Sequence, residues 1–225
     1  MPWRRRFEAV LFDLDGTLVE TAPDLAAALN HTLRGAGLAE LALAEIRPMI
    51  GDGARALLRR GLAAEDVEPT PERFEALFAA LIEHYDAHIA DMSRPFPGVV
   101  EALERLGAAG LKLGVCTNKP ERLSCKLLAA LGLARHFQAV VGGDSLAVRK
   151  PDGGHLAGTL ARLGARPERA VMVGDAANDV KGARAAGLPV VLVSFGYTAT
   201  PPAELGADVL IDRFAELPAA LARLS

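Results

Sequence analysis

The 225 residues suffice for one large domain or for a core carrying an insert, and an apolar fraction of 51% provides a buried interior for either. A net charge of −3, with one basic run at Arg4, Arg5 and Arg6 that reads as a solvated tail, argues against a surface built for phosphate backbones, so no nucleic-acid partner is expected. No apolar run is long enough for a bilayer, the stretch after the basic run is broken by Asp13 and Asp15 and does not read as a signal peptide, and two cysteines (Cys116 and Cys125) make no disulfide framework; the expectation is a cytoplasmic chain with no membrane partner.

Phe7 to Phe12, reading F-E-A-V-L-F, predicts a buried strand that ends in acids. A helix should follow from Thr21 and Pro23, carry Leu25, Ala28, Leu29 and Leu33 on one face, and end at Gly35 and Gly37. A second helix is expected over Gly53 to Gly61. A third is expected from Pro71 to about Ala90, with Phe74, Leu77, Phe78, Leu81 and Tyr85 on one face. No strand pattern interrupts residues 20 to 93, and Ser93 to Gly98 is a turn-rich boundary.

From there the pattern alternates. Strands are expected at Leu111–Thr117, Gln138–Gly142, Ala170–Val173, Pro189–Ser194 and Asp208–Ile211, with helices starting near Pro97, Pro120, Asp152 and Asn178 and a last one over Arg213–Leu224. Such alternation predicts an α/β fold: a Rossmann-like parallel sheet with helices on both faces, interrupted after its first strand by an all-helical insert. The expected division is a core of 1–19 and 94–225 and a helical cap of 20–93.

Open α/β sheets bind ligands beyond the carboxyl ends of their strands. Four such ends carry chemistry here: Asp13-Leu-Asp15-Gly-Thr17, Thr117-Asn118-Lys119, the stretch from Gly142-Gly-Asp-Ser to Lys150-Pro151, and Gly174-Asp175 through Asn178-Asp179. Asp13 and Asp15, two apart in extended backbone, point to one face. Paired carboxylates can divide into an ionised nucleophile and a proton-carrying acid. An oxygen-rich cluster lacking His and Cys suits a hard ion such as Mg2+. Thr117 offers a hydroxyl to a phosphate, and Lys150 a positive charge.

Taken together, D-L-D-G-T-L at 13–18, T-N-K-P at 117–120, R-K-P at 149–151 and G-D-A-A-N-D at 174–179 resemble the four motifs of the haloacid dehalogenase-like hydrolases, in the family's order and spacing over nearly the whole chain. G-G-D-S at 142–145 and S-F-G-Y-T at 194–198 resemble the phosphoglycolate phosphatase branch. The resemblance implies attack by Asp13 on phosphorus to form an aspartyl phosphate, with Asp15 as general acid and then base. It implies Mg2+ held by Asp13, the backbone carbonyl of Asp15 and Asp175, with Asp179 supporting it directly or through water; a transferring group held by Thr117, Asn118 and Lys150; and a mobile cap. The implied partner is a small phosphorylated metabolite, with 2-phosphoglycolate leading. A sugar phosphomutase, a larger sugar or amino-sugar phosphate as substrate, and a non-catalytic phosphate-binding regulator stay open, as does the oligomeric state. Two departures from the family pattern are Ala176, where a hydroxyl residue is common, and Gly153-Gly154, expected to loosen the start of the next helix.

Plainer roles compete for several residues. Thr117-Asn118 suit a helix cap before Pro120, and Asp179 suits a helix first turn. G-D-G-A-R-A at 51–56 matches a dinucleotide pattern but lacks a preceding strand; within a cap it would place Arg55 as a substrate-binding candidate. His84 and His88 have metalloprotease spacing, but Tyr85 stands where the required Glu would be. Cys116 reads as a buried strand residue.

Overall fold

The structure is a computed structural model that describes residues 6–224; Arg4 and Arg5 of the basic run lie outside the described residues. Strand β1 (Ala9–Phe12) is followed by the two-residue β2 (Val19–Glu20). Four helices come next: α1 (Ala22–Gly35), α2 (Leu43–Ile46), α3 (Ala54–Ala64) and α4 (Pro71–Ala87). After β3 (Arg94–Pro95) the chain alternates through α5 (Val99–Ala108), β4 (Lys112–Cys116), α6 (Glu121–Ala130), β5 (Ala139–Val141), α7 (Gly153–Leu163), β6 (Ala170–Gly174), α8 (Ala177–Ala185), β7 (Val190–Val193), β8 (Val209–Ile211) and α9 (Leu217–Arg223).

Six strands form one sheet in the order β5-β4-β1-β6-β7-β8. Every neighbouring pair in it is parallel. Pleating sends alternate residues of the central strands to opposite faces. Val10, Phe12, Val115, Val171 and Val173 pack with Leu103 of α5, Leu127 of α6 and Leu221 of α9. Ala9, Leu11, Cys116, Met172 and Leu192 pack with Leu156 and Leu160 of α7 and Val180 of α8. Burial on both faces explains why these strands are apolar throughout rather than alternating.

β1 is flanked by β4 and β6, so the chain leaves the centre of the sheet in both directions. The carboxyl ends of these three strands meet at the crevice such a reversal creates. The helices α1, α3 and α4 lie over that edge, sharing a core through Leu25, Leu29, Leu57, Leu81 and Tyr85.

Three local outcomes differ from the sequence expectations. β2 and β3 pair antiparallel, Val19 with Pro95 and Glu20 with Arg94; two-residue strands carry no readable period. Thr21 does start α1, but its hydroxyl makes no capping bond; the phenol oxygen of Tyr197, remote in sequence, accepts the N–H groups of Thr21 and Ala22 at 2.8 and 3.0 Å. The glycine pair does not loosen α7: Asp152 caps it by accepting the N–H of Gly154 at 2.8 Å.

Candidate active site

At the end of β1 the Asp13 N–H continues the ladder to Val173 O at 2.9 Å, which places its buried carboxylate over the sheet edge. Oδ1 accepts the N–H of Leu14 at 2.7 Å and lies 2.9 Å from Lys150 Nζ. The same ammonium lies 2.6 Å from Asp179 Oδ1, and both side chains are wholly buried. Asp179 Oδ2 accepts the N–H groups of Asp175 and Ala176, each at 3.1 Å. Asp179 therefore caps α8 and pairs with Lys150 at once, so its plain role and its candidate role coexist.

Asp175 is held on both oxygens, by the Thr17 hydroxyl and by the N–H of Tyr197, each at 2.7 Å. Gly16 lets these partners converge. Its φ is +80°, and a Cβ there would stand 2.6 Å from Asp175 Oδ2.

Asp13, Asp175 and Asp179 each present an oxygen within 4.8 Å of the others, all three buried. Three carboxylates share one ammonium, so the cluster is short of positive charge. Burial raises the Asp13 carboxyl to about 7, opposed by Lys150 and assisted by Asp179 and Asp15. Burial, then Asp179 and Asp13, push Asp175 well above the usual carboxylate range. Lys150 is drawn down by burial but driven up further by Asp13 and Asp179, so it stays charged. A buried, oxygen-only donor set with excess negative charge fits a hard divalent cation.

The Asp15 carboxylate is not part of this cluster. It turns to Lys119, whose ammonium lies 3.0 and 3.3 Å from its two oxygens and donates to the Tyr85 phenol of α4 at 2.6 Å. Asp13 and Asp15 nonetheless line one cavity of about 30 Å3, together with Thr117, Lys119 and Tyr85.

Thr117 and Asn118 do not cap the helix after Pro120. The first N–H of α6, on Glu121, goes to Asp144 Oδ1 at 2.8 Å, leaving the Thr117 hydroxyl at the cavity wall. Asn118 donates to Lys150 O at 3.1 Å and to Gly51 O at 3.2 Å; Asn178 donates to the same Gly51 carbonyl at 2.9 Å. Core loops thus grip the turn before α3.

Arg55 lies outside the Asp13–Asp15 cavity and lines an adjacent one with Asn118; its exposed guanidinium is held by Glu75 at 2.6 and 2.8 Å and set over the Phe78 ring at 4.1 Å. The start of α3 lies near the site, and the direction of the Arg55 side chain is set by its α4 partners Glu75 and Phe78. The dinucleotide-like segment has a 3₁₀ turn rather than a strand before it. His84, half-buried, stacks with the exposed His31 and stands beside the exposed His88, which pairs with Asp91. Cys116 Sγ lies 3.5 Å from His155 Nδ1, and burial raises its thiol to about 11, so no reactive thiolate is present there.

Sequence reasoning gave no role to Lys119, Tyr85, Thr17, Tyr197 or Asn178. Lys119, Thr17, Asn178 and Tyr197 all sit inside quoted motifs. Tyr85 had no signal beyond its place on the apolar face of α4.

Residues 10–193 match the family model described as haloacid dehalogenase-like hydrolase. A phosphoglycolate phosphatase of Caulobacter vibrioides is 52% identical over 211 residues, covering 94% of this chain and 89% of the relative. One from Agrobacterium fabrum is 46% identical, covering 94% and 91%. The crystal structure of a predicted phosphoglycolate phosphatase from Haemophilus somnus superposes with a TM-score of 0.91 at 33% identity, covering 96% of this chain and 98% of that one. With its four motifs gathered at one sheet edge, the chain belongs to the haloacid dehalogenase-like hydrolases.

Proposed function

We propose that the protein hydrolyses 2-phosphoglycolate to glycolate and phosphate with Mg2+. The observation that carries the reading is the placement of Asp13, tied to Lys150, and Asp15, tied to Lys119, in one cavity of about 30 Å3. Two carboxylates with separate partners suit separate roles. The names of the relatives at 46% and 52% identity point to the same substrate.

In this reading a carboxylate oxygen of Asp13 attacks phosphorus in line. The bond from phosphorus to the glycolate oxygen breaks, and Asp15 gives that oxygen a proton. Water then attacks the phosphorus of the aspartyl phosphate, Asp15 takes the proton of the water, and phosphate leaves with Asp13 restored. Lys150 neutralises charge beside Asp13, while the Thr117 hydroxyl and Asn118 orient the transferring group. Asp13, Asp175, Asp179 and the Asp15 carbonyl would hold Mg2+, which when bound neutralises phosphate charge. Residues 20–93 act as a cap over a core of 1–19 and 94–225. The grip of Asn118 and Asn178 on Gly51 supports a closed arrangement that excludes water.

The test is phosphate release from 2-phosphoglycolate, with and without Mg2+, beside β-glucose 1-phosphate and larger sugar phosphates. Magnesium-dependent release selective for 2-phosphoglycolate is expected. Faster release from a sugar phosphate reassigns the substrate, and isomer formation without release makes the protein a mutase.

A further inference from the structure

Lys119 is 5% exposed and, among the described residues, is the one cation lining the cavity; apolar side chains such as Leu25, Ile50, Leu57, Leu81 and Leu123 make up much of the remaining wall. Its ammonium lies 3.0 and 3.3 Å from the two Asp15 oxygens and donates to the Tyr85 phenol at 2.6 Å. A full charge in an apolar enclosure is costly unless an anion faces it, and in this structure the anion is Asp15. Asp15 is also the group that must serve the ester oxygen in the proposed reaction. While it does so, Lys119 needs a second anion.

Tyr85 points to the same place independently. Its phenol is 2% exposed and accepts from Lys119 at 2.6 Å, yet the phenolic hydrogen finds no acceptor among the described residues. Buried phenols ordinarily donate to a partner. Burial raises this phenol to about 12, with Lys119 opposing, so the hydrogen is present near neutral pH. An ammonium and a free O–H donor therefore converge on one spot in the cavity.

We infer that Lys119 and Tyr85 form a carboxylate-binding subsite that selects short phosphate esters bearing a carboxylate close to the ester oxygen. The inference rests on the phosphatase reading and deepens it. The order of groups along the site matches the order of atoms in such an ester. Asp13 faces phosphorus, Asp15 faces the ester oxygen, and Lys119, bonded to Asp15, lies next, where a carboxylate one methylene beyond that oxygen arrives. Tyr85 belongs to α4 and Lys119 to the loop after β4, so the subsite is complete only when these elements are apposed. The substrate carboxylate then bridges them.

The experiment compares kcat/KM for 2-phosphoglycolate and for ethyl phosphate, which lacks the carboxylate, in the wild type and in Lys119→Met, Lys119→Arg and Tyr85→Phe, with thermal melts to establish folding. The quantity read is the ratio between the two esters. Loss of a charge-assisted hydrogen bond lowers that ratio about 100-fold in Lys119→Met and about tenfold in Tyr85→Phe, while Lys119→Arg retains most of it. Should Lys119 act only by holding Asp15, Lys119→Met slows both esters alike and the ratio stays put, which overturns the subsite. Should Lys119→Met not fold, an unchanged ratio in Tyr85→Phe overturns it equally. A wild-type protein with no preference for 2-phosphoglycolate overturns the proposed function and the subsite together; a preference that survives in Lys119→Met overturns the subsite alone.

Discussion

Lys150 Nζ lies 2.9 Å from Asp13 Oδ1, at the end of a loop 137 residues further along the chain, and neither side chain is more than 4% exposed. That contact joins the candidate nucleophile to the lone ammonium of the acidic cluster. Most of the expected mutational behaviour follows from it.

Asp13→Asn keeps the shape of the side chain and removes the attacking carboxylate. Turnover should fall by at least about 10⁴-fold, with no phosphorylated protein trapped on rapid acid quenching, and the melting temperature should hold. Asp15→Asn should lower turnover by about 10²–10⁴-fold through lost proton transfer. Near-normal steady-state rates in either variant would reassign that role.

Lys150→Met leaves Asp13 and Asp179 buried without their counter-charge. Breaking a buried pair from one side costs about 3–5 kcal/mol. A lower urea midpoint is expected, with a smaller deficit once Mg2+ is added. An unchanged midpoint without metal would mean that the acids are already neutral.

The Asp13 carboxyl stands at about 7 in the fold, above the roughly 4 of an unfolded aspartate. A group raised in this way contributes stability that is full below the unfolded value and lost as pH rises through the folded one. Without metal the protein should melt at steadily lower temperature from about pH 4 to about pH 7. A cation binding the deprotonated cluster should raise the melting temperature more at about pH 8 than at about pH 5. Equal Mg2+ shifts at both values would contradict the proposed ligand set.

Arg55→Ala removes an exposed ion pair with Glu75 and a ring contact outside the cavity. KM for 2-phosphoglycolate should stay within about threefold, and stability should change by about 1 kcal/mol or less. A large rise in KM would return Arg55 to the substrate.

The fold was legible because continuous apolar runs, most of them ending in Gly, Thr or Asp, have few explanations besides parallel strands delivering a ligand edge. Asp13, Thr117 and Asp175 follow or stand at strand ends, which local sequence sets, whereas Lys150, in the loop between β5 and α7, stood out only beside the other motifs. β2 and β3 were not, because two residues carry no period. Nor could the sequence place Arg55, since a helix start near the site does not say which way one side chain turns.

The amino-acid sequence by itself determined the sheet, the helical insert and the set of acids at the sheet edge, all consequences of short-range periodicity and composition. Only the tertiary structure decided the pairings: Lys150 with Asp13 and Asp179, Lys119 with Asp15 and Tyr85, and Tyr197 with Asp175 and the start of α1. Those contacts join residues far apart in the chain. Which charge neutralises which is settled by burial and distance, and neither is written in local sequence.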